Sequence, residues 1–108
     1  MSNKPVRPYI KGRRFEYKVM SFFEKLGFYV IRSAGSKGDF DIIAIRDGKT
    51  YGIQATMKNT LPPERLRVLA MELKITTVFV CRVTNNKGRI YFFKPDGSES
   101  VHEAILKG

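Results

Sequence analysis

Residues 38–58 read GDFDIIAIRDGKTYGIQATMK, two apolar and β-branched runs on either side of Asp47-Gly48. That dipeptide accepts positive φ and favours a tight primed turn, so the stretch predicts a β-hairpin with a fixed register. With Asp47 and Gly48 as the loop, Arg46 faces Lys49, Ile42 faces Ile53, Asp41 faces Gln54 and Asp39 faces Thr56. Opposed residues share a face and side chains alternate. Asp39, Asp41, Gln54, Thr56 and Lys58 are therefore expected on one side, and Phe40, Ile42, Ile53, Ala55 and Met57 on the other. The apolar side is a core. The polar side is either chemistry or plain solvated surface, and a metal or catalytic site there needs a further ligand from elsewhere in the chain.

The rest of the chain supplies partners for this hairpin. Residues 1–14 hold five basic residues, two prolines and no acid, and predict an extended basic arm able to lie along phosphates. Residues 15–108 are then one domain. Phe15, Val19, Phe22, Phe23 and Leu26 fall on one face of a helix from Arg14 to Leu26, which Gly27 is placed to end. Glu16 borders that stripe and can reach a shared site, or simply complement the helix dipole. Residues 28–33 predict a strand, and Ala34 to Gly38 a flexible connection. After the hairpin, Thr60 is a candidate cap for a second helix carrying Leu66, Leu69, Ala70 and Leu73, and TTVFVCRV and GRIYFFKP read as two more strands. A short final helix is expected in DGSESVHEAILKG. The predicted order is α-β-β-β-α-β-β, a single α/β domain.

A chain of 108 residues, 43% hydrophobic, suffices for one core. Twenty Lys and Arg against ten Asp and Glu give a formal charge of +10, which favours a polyanionic partner, nucleic acid first. No apolar run approaches the roughly 18 residues of a membrane span, and no signal peptide or lipidation motif is visible, so no membrane role is expected. Cys81 sits in an apolar run as a small buried hydrophobe, and a lone cysteine allows no intrachain disulfide, which suits a reducing cytoplasm. His102 has no partner at ligand spacing and reads as a surface histidine.

Three segments together resemble the archaeal-type Holliday junction resolvases, small members of the PD-(D/E)xK nuclease superfamily. They are KGRRFEYKVMSFFEKLGFYVIRSAGSKG, DFDIIAI and YGIQAT, and the resemblance covers about residues 11 to 94. It implies a restriction-endonuclease-like mixed sheet flanked by helices, and a homodimer that makes paired cuts in four-way DNA junctions. By resemblance, the metal-binding acids fall on Glu16 and Asp41. The Glu-x-Lys element falls on Gln54 and Thr56, where this chain departs from the pattern.

The departure has physical content. Mg²⁺ or Mn²⁺ takes hard oxygen ligands, and Gln54 offers a carbonyl where a glutamate would bring a charge, so metal affinity should fall. Threonine at position 56 cannot carry the charge of a lysine, and Lys58, two residues on along the same face, can compensate by leaning back. Asp39 is a further candidate ligand. Glu16, Asp41, Gln54 and Lys58 are thus the catalytic candidates, with Glu16, Asp41 and Gln54 holding the metal. Lys11, Arg13, Arg14, Arg32, Ser33, Ser36 and Lys37 are the candidates for contact with DNA phosphates.

Two other functions compete. Gln54 and Thr56 also fit a degenerate relative that binds branched DNA without cutting it. KGRIYFF loosely resembles the aromatic strand of some RNA-binding sheets, which would require Tyr91 and Phe93 exposed on the sheet surface. The Phe92 or Phe93 strand and the Leu66 to Leu73 helix are candidates for the dimer surface, each equally well a core element, and the expected place of action is the cytoplasm, at the nucleoid or in a host cell.

Overall fold

The computed structural model describes residues 8–33 and 38–107. Helix α1 (Pro8–Lys25) leads into β1 (Tyr29–Arg32), β2 (Ile42–Arg46) and β3 (Lys49–Thr56), then α2 (Arg65–Leu73), β4 (Thr76–Thr84), β5 (Lys87–Phe93) and β6 (Glu99–Ile105). The six strands form one mixed sheet in sequential order. Only β3 and β4 run parallel, because α2 carries the chain back between them; every other neighbouring pair is antiparallel. The helices flank the sheet, α1 over β1 to β3 and α2 over β4 and β5.

Each helix seals one face. Phe15, Val19 and Phe23, spaced four apart, bury one stripe of α1 against Ile42, Ala44, Ile53, Val78, Val80, Ile90 and Leu106. Full burial of each such side chain is worth about 1.5–3 kcal/mol over exposure. Leu66 and Ala70 of α2 close on Phe79, Cys81, Tyr91 and Phe93 across the sheet. The hydroxyl of Thr77 donates to the Leu66 carbonyl at 2.6 Å, tying β4 to this helix. Cys81 is buried and free, and His102 is exposed, edge-on to Phe92. No helix among the described residues is long and apolar enough to cross a membrane.

The turn chemistry behaves as expected. Asp47 and Gly48 both take positive φ, at 53° and 74°, and Arg46 pairs with Lys49 and Ile42 with Ile53. Gly27, at φ 92°, stops α1, with its own N–H on the Glu24 carbonyl and that of Phe28 on Phe23.

Several boundaries differ from the sequence reading. Helix α1 begins at Pro8 rather than Arg14, so residues 8–14 of the expected arm are helical; proline fits the first helical position, where its missing N–H has no partner to lose. Residues 1–7 lie outside the described residues. Leu26, expected in the buried stripe, follows the helix and is exposed. Thr60 does not cap α2, whose N-cap position is Glu64 with no side-chain cap bond.

The tail forms strand β6 in place of the expected short final helix. Lys94 N–H donates to the Ser98 carbonyl and Ser98 N–H to Asp96 Oδ1, so Lys94–Ser98 turns the chain back along β5. Pairing from Phe93↔Glu99 to Lys87↔Ile105 then satisfies a whole strand of backbone groups.

Candidate active site

Asp41 stands at the head of β2, and its position is set by three hydrogen bonds. Its N–H donates to the Ile53 carbonyl at 2.8 Å, its carbonyl accepts from Ser33 N–H at 2.8 Å, and its Oδ2 accepts from Ala55 N–H at 2.9 Å. The carboxylate is thereby clamped against β3 between the two side chains, Gln54 and Thr56, that point away from α1. These three residues line a cavity of about 450 Å³. Thr60, Leu61 and Pro63, on the segment entering α2, form its rim with Phe79.

The expected register holds to Ile42↔Ile53 and then slips. Asp41 N–H takes the Ile53 carbonyl, so neither Asp41 against Gln54 nor Asp39 against Thr56 continues the ladder. The slip turns Phe40 to the α2 side, where it packs with Leu66, Phe79 and Tyr91, not with Ile42 and Ile53 as predicted. Its ring fills the hollow over Gly52, where an added Cβ would lie 2.8 Å from three ring carbons.

Glu16 does not join this cavity. Its Oε1 accepts from Arg32 Nε at 3.1 Å, in a pair with both side chains about one-fifth exposed, and the Arg32 guanidinium lies over the Tyr17 ring. Arg32 pairs with Ile42, so this ion pair sits beside the Asp41 corner but toward α1. A carboxylate expected as a metal ligand is instead matched to a guanidinium.

Asp39 is also committed, accepting two bonds from Arg65 at the start of α2, at 2.7 and 3.0 Å. The Arg65 hydrogen bond holds the Asp39 carboxyl below the usual range, against a weaker opposing effect of burial. Lys58 is exposed just beyond β3, its backbone N–H donating to Thr56 Oγ1 at 3.2 Å. Its side chain does not line the cavity.

Among the described residues no group of three or more His, Cys, Asp or Glu side chains could hold a metal ion. The donors that do converge, the Asp41 carboxylate and the Gln54 amide, are hard oxygens. They fit a hydrated Mg²⁺-type ion, which commonly uses one or two protein carboxylates and leaves its other positions to water and phosphate.

Of the expected phosphate contacts, Arg13 and Arg14 are exposed on α1, Arg32 is held by Glu16, and Ser33 is half-buried against Asp41. The side chain of Lys11, and Ser36 and Lys37, lie outside the described residues. Tyr91 and Phe93 are 5% and 2% exposed, under α2 and its neighbours, which removes the stacking surface an RNA-binding sheet would need. Sequence reasoning missed Thr60, Leu61 and Pro63 as cavity residues, and Arg65 as the partner of Asp39, because no local pattern shows that this segment borders the end of β3.

Comparisons with known proteins agree on one family. A family model described as archaeal Holliday junction resolvase (Hjc) matches residues 7–83. The crossover junction endodeoxyribonuclease Hjc of Methanocaldococcus jannaschii is 56% identical over 41 residues, 38% of this chain and 30% of that protein. The chain thus matches under a third of the length of this curated relative. The structure of Archaeoglobus fulgidus Hjc, described as a Holliday junction resolvase from an archaeal hyperthermophile, superposes with a TM-score of 0.58 at 25% identity, covering 88% of this chain and 84% of that one.

Proposed function

Because the chain belongs to the archaeal Holliday junction resolvase family, we propose that it is a structure-selective endodeoxyribonuclease that cuts four-way DNA junctions by metal-dependent phosphodiester hydrolysis. The observation that carries this reading is the Asp41 carboxylate, pinned by Ala55 N–H at the mouth of a cavity it shares with Gln54 and Thr56. A fixed acid whose second oxygen has no partner among the described residues, beside an amide carbonyl and a hydroxyl, is what positions a cation and a phosphate together.

A divalent cation, Mg²⁺ or Mn²⁺, would supply Lewis-acid chemistry for phosphodiester hydrolysis when bound. Asp41 and the Gln54 carbonyl would hold it. The Thr56 hydroxyl would donate to a phosphate oxygen, and the exposed Lys58, on a long flexible side chain, would reach toward the cavity to meet the negative charge that develops. Glu16 adds a second carboxylate only by leaving Arg32.

Two symmetric incisions need two sites, so the working form is a homodimer acting on branched duplex DNA, in the cytoplasm at the nucleoid or in a host cell. A second reading has one observation in its favour: with Glu16 held by Arg32 and Gln54 neutral, a single acid among the described residues remains at the cavity, which suits a protein that binds junctions without cutting them.

Cleavage of a labelled four-way junction in Mg²⁺ and in Mn²⁺, beside binding in EDTA, decides between them. Paired nicks that vanish in Asp41→Asn are expected. Tight junction binding with no nick in either metal would leave the DNA-binding reading.

A further inference from the structure

The cavity around Asp41 opens on the α2 side of the sheet, yet the same strand ends lead to a second groove on the α1 side. Thr56 pairs with Cys81 in the parallel β3–β4 ladder, so the next residues, Met57 and Arg82, lie side by side and turn the other way. Met57 joins the core under α1. Above it, α1 presents Arg14 and Lys18, one turn apart, and together with Phe15 these residues enclose a cavity of about 290 Å³. The groove continues past Lys18 between Tyr17, Ser21, Asn86 and Lys107.

The charges in this groove lack the acidic partners that several other cations of the molecule have. Arg32, Arg46, Arg65, Arg67, Lys87 and Arg89 each face a carboxylate. No Asp or Glu lines either part of the groove, and among the described residues Arg14, Arg82 and Lys107 make no ion pair. Lys18 Nζ donates to the Asn85 carbonyl at 3.2 Å, which steers the side chain and leaves its charge without a carboxylate partner among the described residues. Like charges gathered along one groove repel one another in the isolated protein and are relieved by a polyanion.

We propose that this groove holds the phosphate backbone of a second duplex DNA arm, and that it, not the Asp41 cavity, sets the preference for branched over linear DNA. The proposal rests on the DNA-cleaving or DNA-binding reading above. One strand runs into the Asp41 cavity on one side of the strand ends, and an arm leaving the branch point rounds Lys58 and Met57 to lie along Arg14, Lys18 and Arg82. Two tracks on opposite faces meeting at one strand end can be filled together by a branch, whereas a straight duplex fills one. The ligand is duplex rather than single-stranded because the groove offers charge without a row of exposed rings for bases to stack on.

The test is equilibrium binding of the full chain to a four-way junction and to linear duplex of the same length, in EDTA, across a range of salt. The variants are Arg14→Gln/Lys18→Gln/Arg82→Gln and, as an equal loss of charge at the far end of the sheet, Lys49→Gln/Lys74→Gln/Lys94→Gln, three lysines that line a separate cavity. The groove variant should lower junction affinity at least tenfold more than duplex affinity. Its log–log salt slope on the junction should fall by about 2 to 3, at about 0.9 per lost phosphate contact, while melting unchanged or higher than wild type. The far-end variant should keep the wild-type ratio. Equal losses on both DNAs in both variants, or no loss in the groove variant, would overturn the groove. A wild-type chain that binds no junction, or prefers duplex RNA, would overturn the functional reading itself.

Discussion

Asp41 and Ala55 are joined side chain to backbone across the β2–β3 hairpin, with Ala55 N–H donating to Asp41 Oδ2 at 2.9 Å. One oxygen of the carboxylate is therefore structural and the other is left for chemistry, and two substitutions separate these roles. Asp41→Ala orphans a half-buried N–H and should cost about 1–3 kcal/mol. Asp41→Asn keeps an acceptor and should stay within about 1 kcal/mol of wild type. Both should abolish junction cleavage. Urea melts beside cleavage assays check this, and an Asp41→Asn chain that cuts at the wild-type rate would remove Asp41 from the site.

Gln54 stands next to Asp41 in the same cavity, so Gln54→Glu creates a pair of neighbouring carboxylates. Without metal they repel, and one is pushed toward protonation; a divalent cation reverses the penalty. The variant should melt below wild type in EDTA, gain more from Mg²⁺ or Mn²⁺ than wild type does, and bind Mn²⁺ on the order of tenfold tighter, since affinity for such ions follows ligand charge. Adding Thr56→Lys should then raise the cleavage rate. Melting curves over a metal titration read the first effect independently of any activity.

What was legible in the chain was local. The Asp47-Gly48 turn, the register out to Ile42↔Ile53, the Phe15-Val19-Phe23 stripe and the Gly27 stop all depend on neighbours a few residues apart, and each stands as read. Phe40 was misplaced because its side is decided by a carbonyl twelve or more residues away and by a hollow over Gly52 that no periodicity announces. β6 was hidden for a similar reason: VHEAIL carries a helical pattern, and only the edge offered by β5 makes it a strand. At the candidate site, Asp41 and Gln54 were found together because one hairpin bears both. Glu16 and Asp39 were recognised as notable acids but not as ion-paired ones, since Arg32 and Arg65 reach them only in the folded chain.

The Phe40–Gly52 contact gives a test of how the α2 face supports the site. In Gly52→Ala the new Cβ would meet the tip of the Phe40 ring at 2.8 Å, so this partly buried ring must shift against the Leu66 and Phe79 cluster to make room. Overpacking of this kind should cost about 1–3 kcal/mol and displace the chain beside Asp41, so cleavage should fall with stability. Phe40→Leu in the same background should recover part of both. A double-mutant cycle measures the coupling, and strictly additive effects would mean that the two residues do not touch.

The Asp39–Arg65 pair ties the β1–β2 connection to the start of α2, and its response to acid follows from its sign. Arg65 lowers the Asp39 pKa in the folded chain, so the folded form holds that proton less tightly than the unfolded form. The pair's contribution is therefore present above the ordinary aspartate value of about 3.9 and is lost as pH falls through the lowered folded value. Because the pair is at the surface, the effect on global stability should be small and weakened by salt. The direct measurement is a carboxyl NMR titration. The Asp39 midpoint should lie below that of a free aspartate, and Arg65→Ala should return it to the ordinary range. Should the wild-type midpoint sit at or above the free value, Arg65 does not hold Asp39 in solution, and Asp39 becomes available to the neighbouring cavity as a second acid.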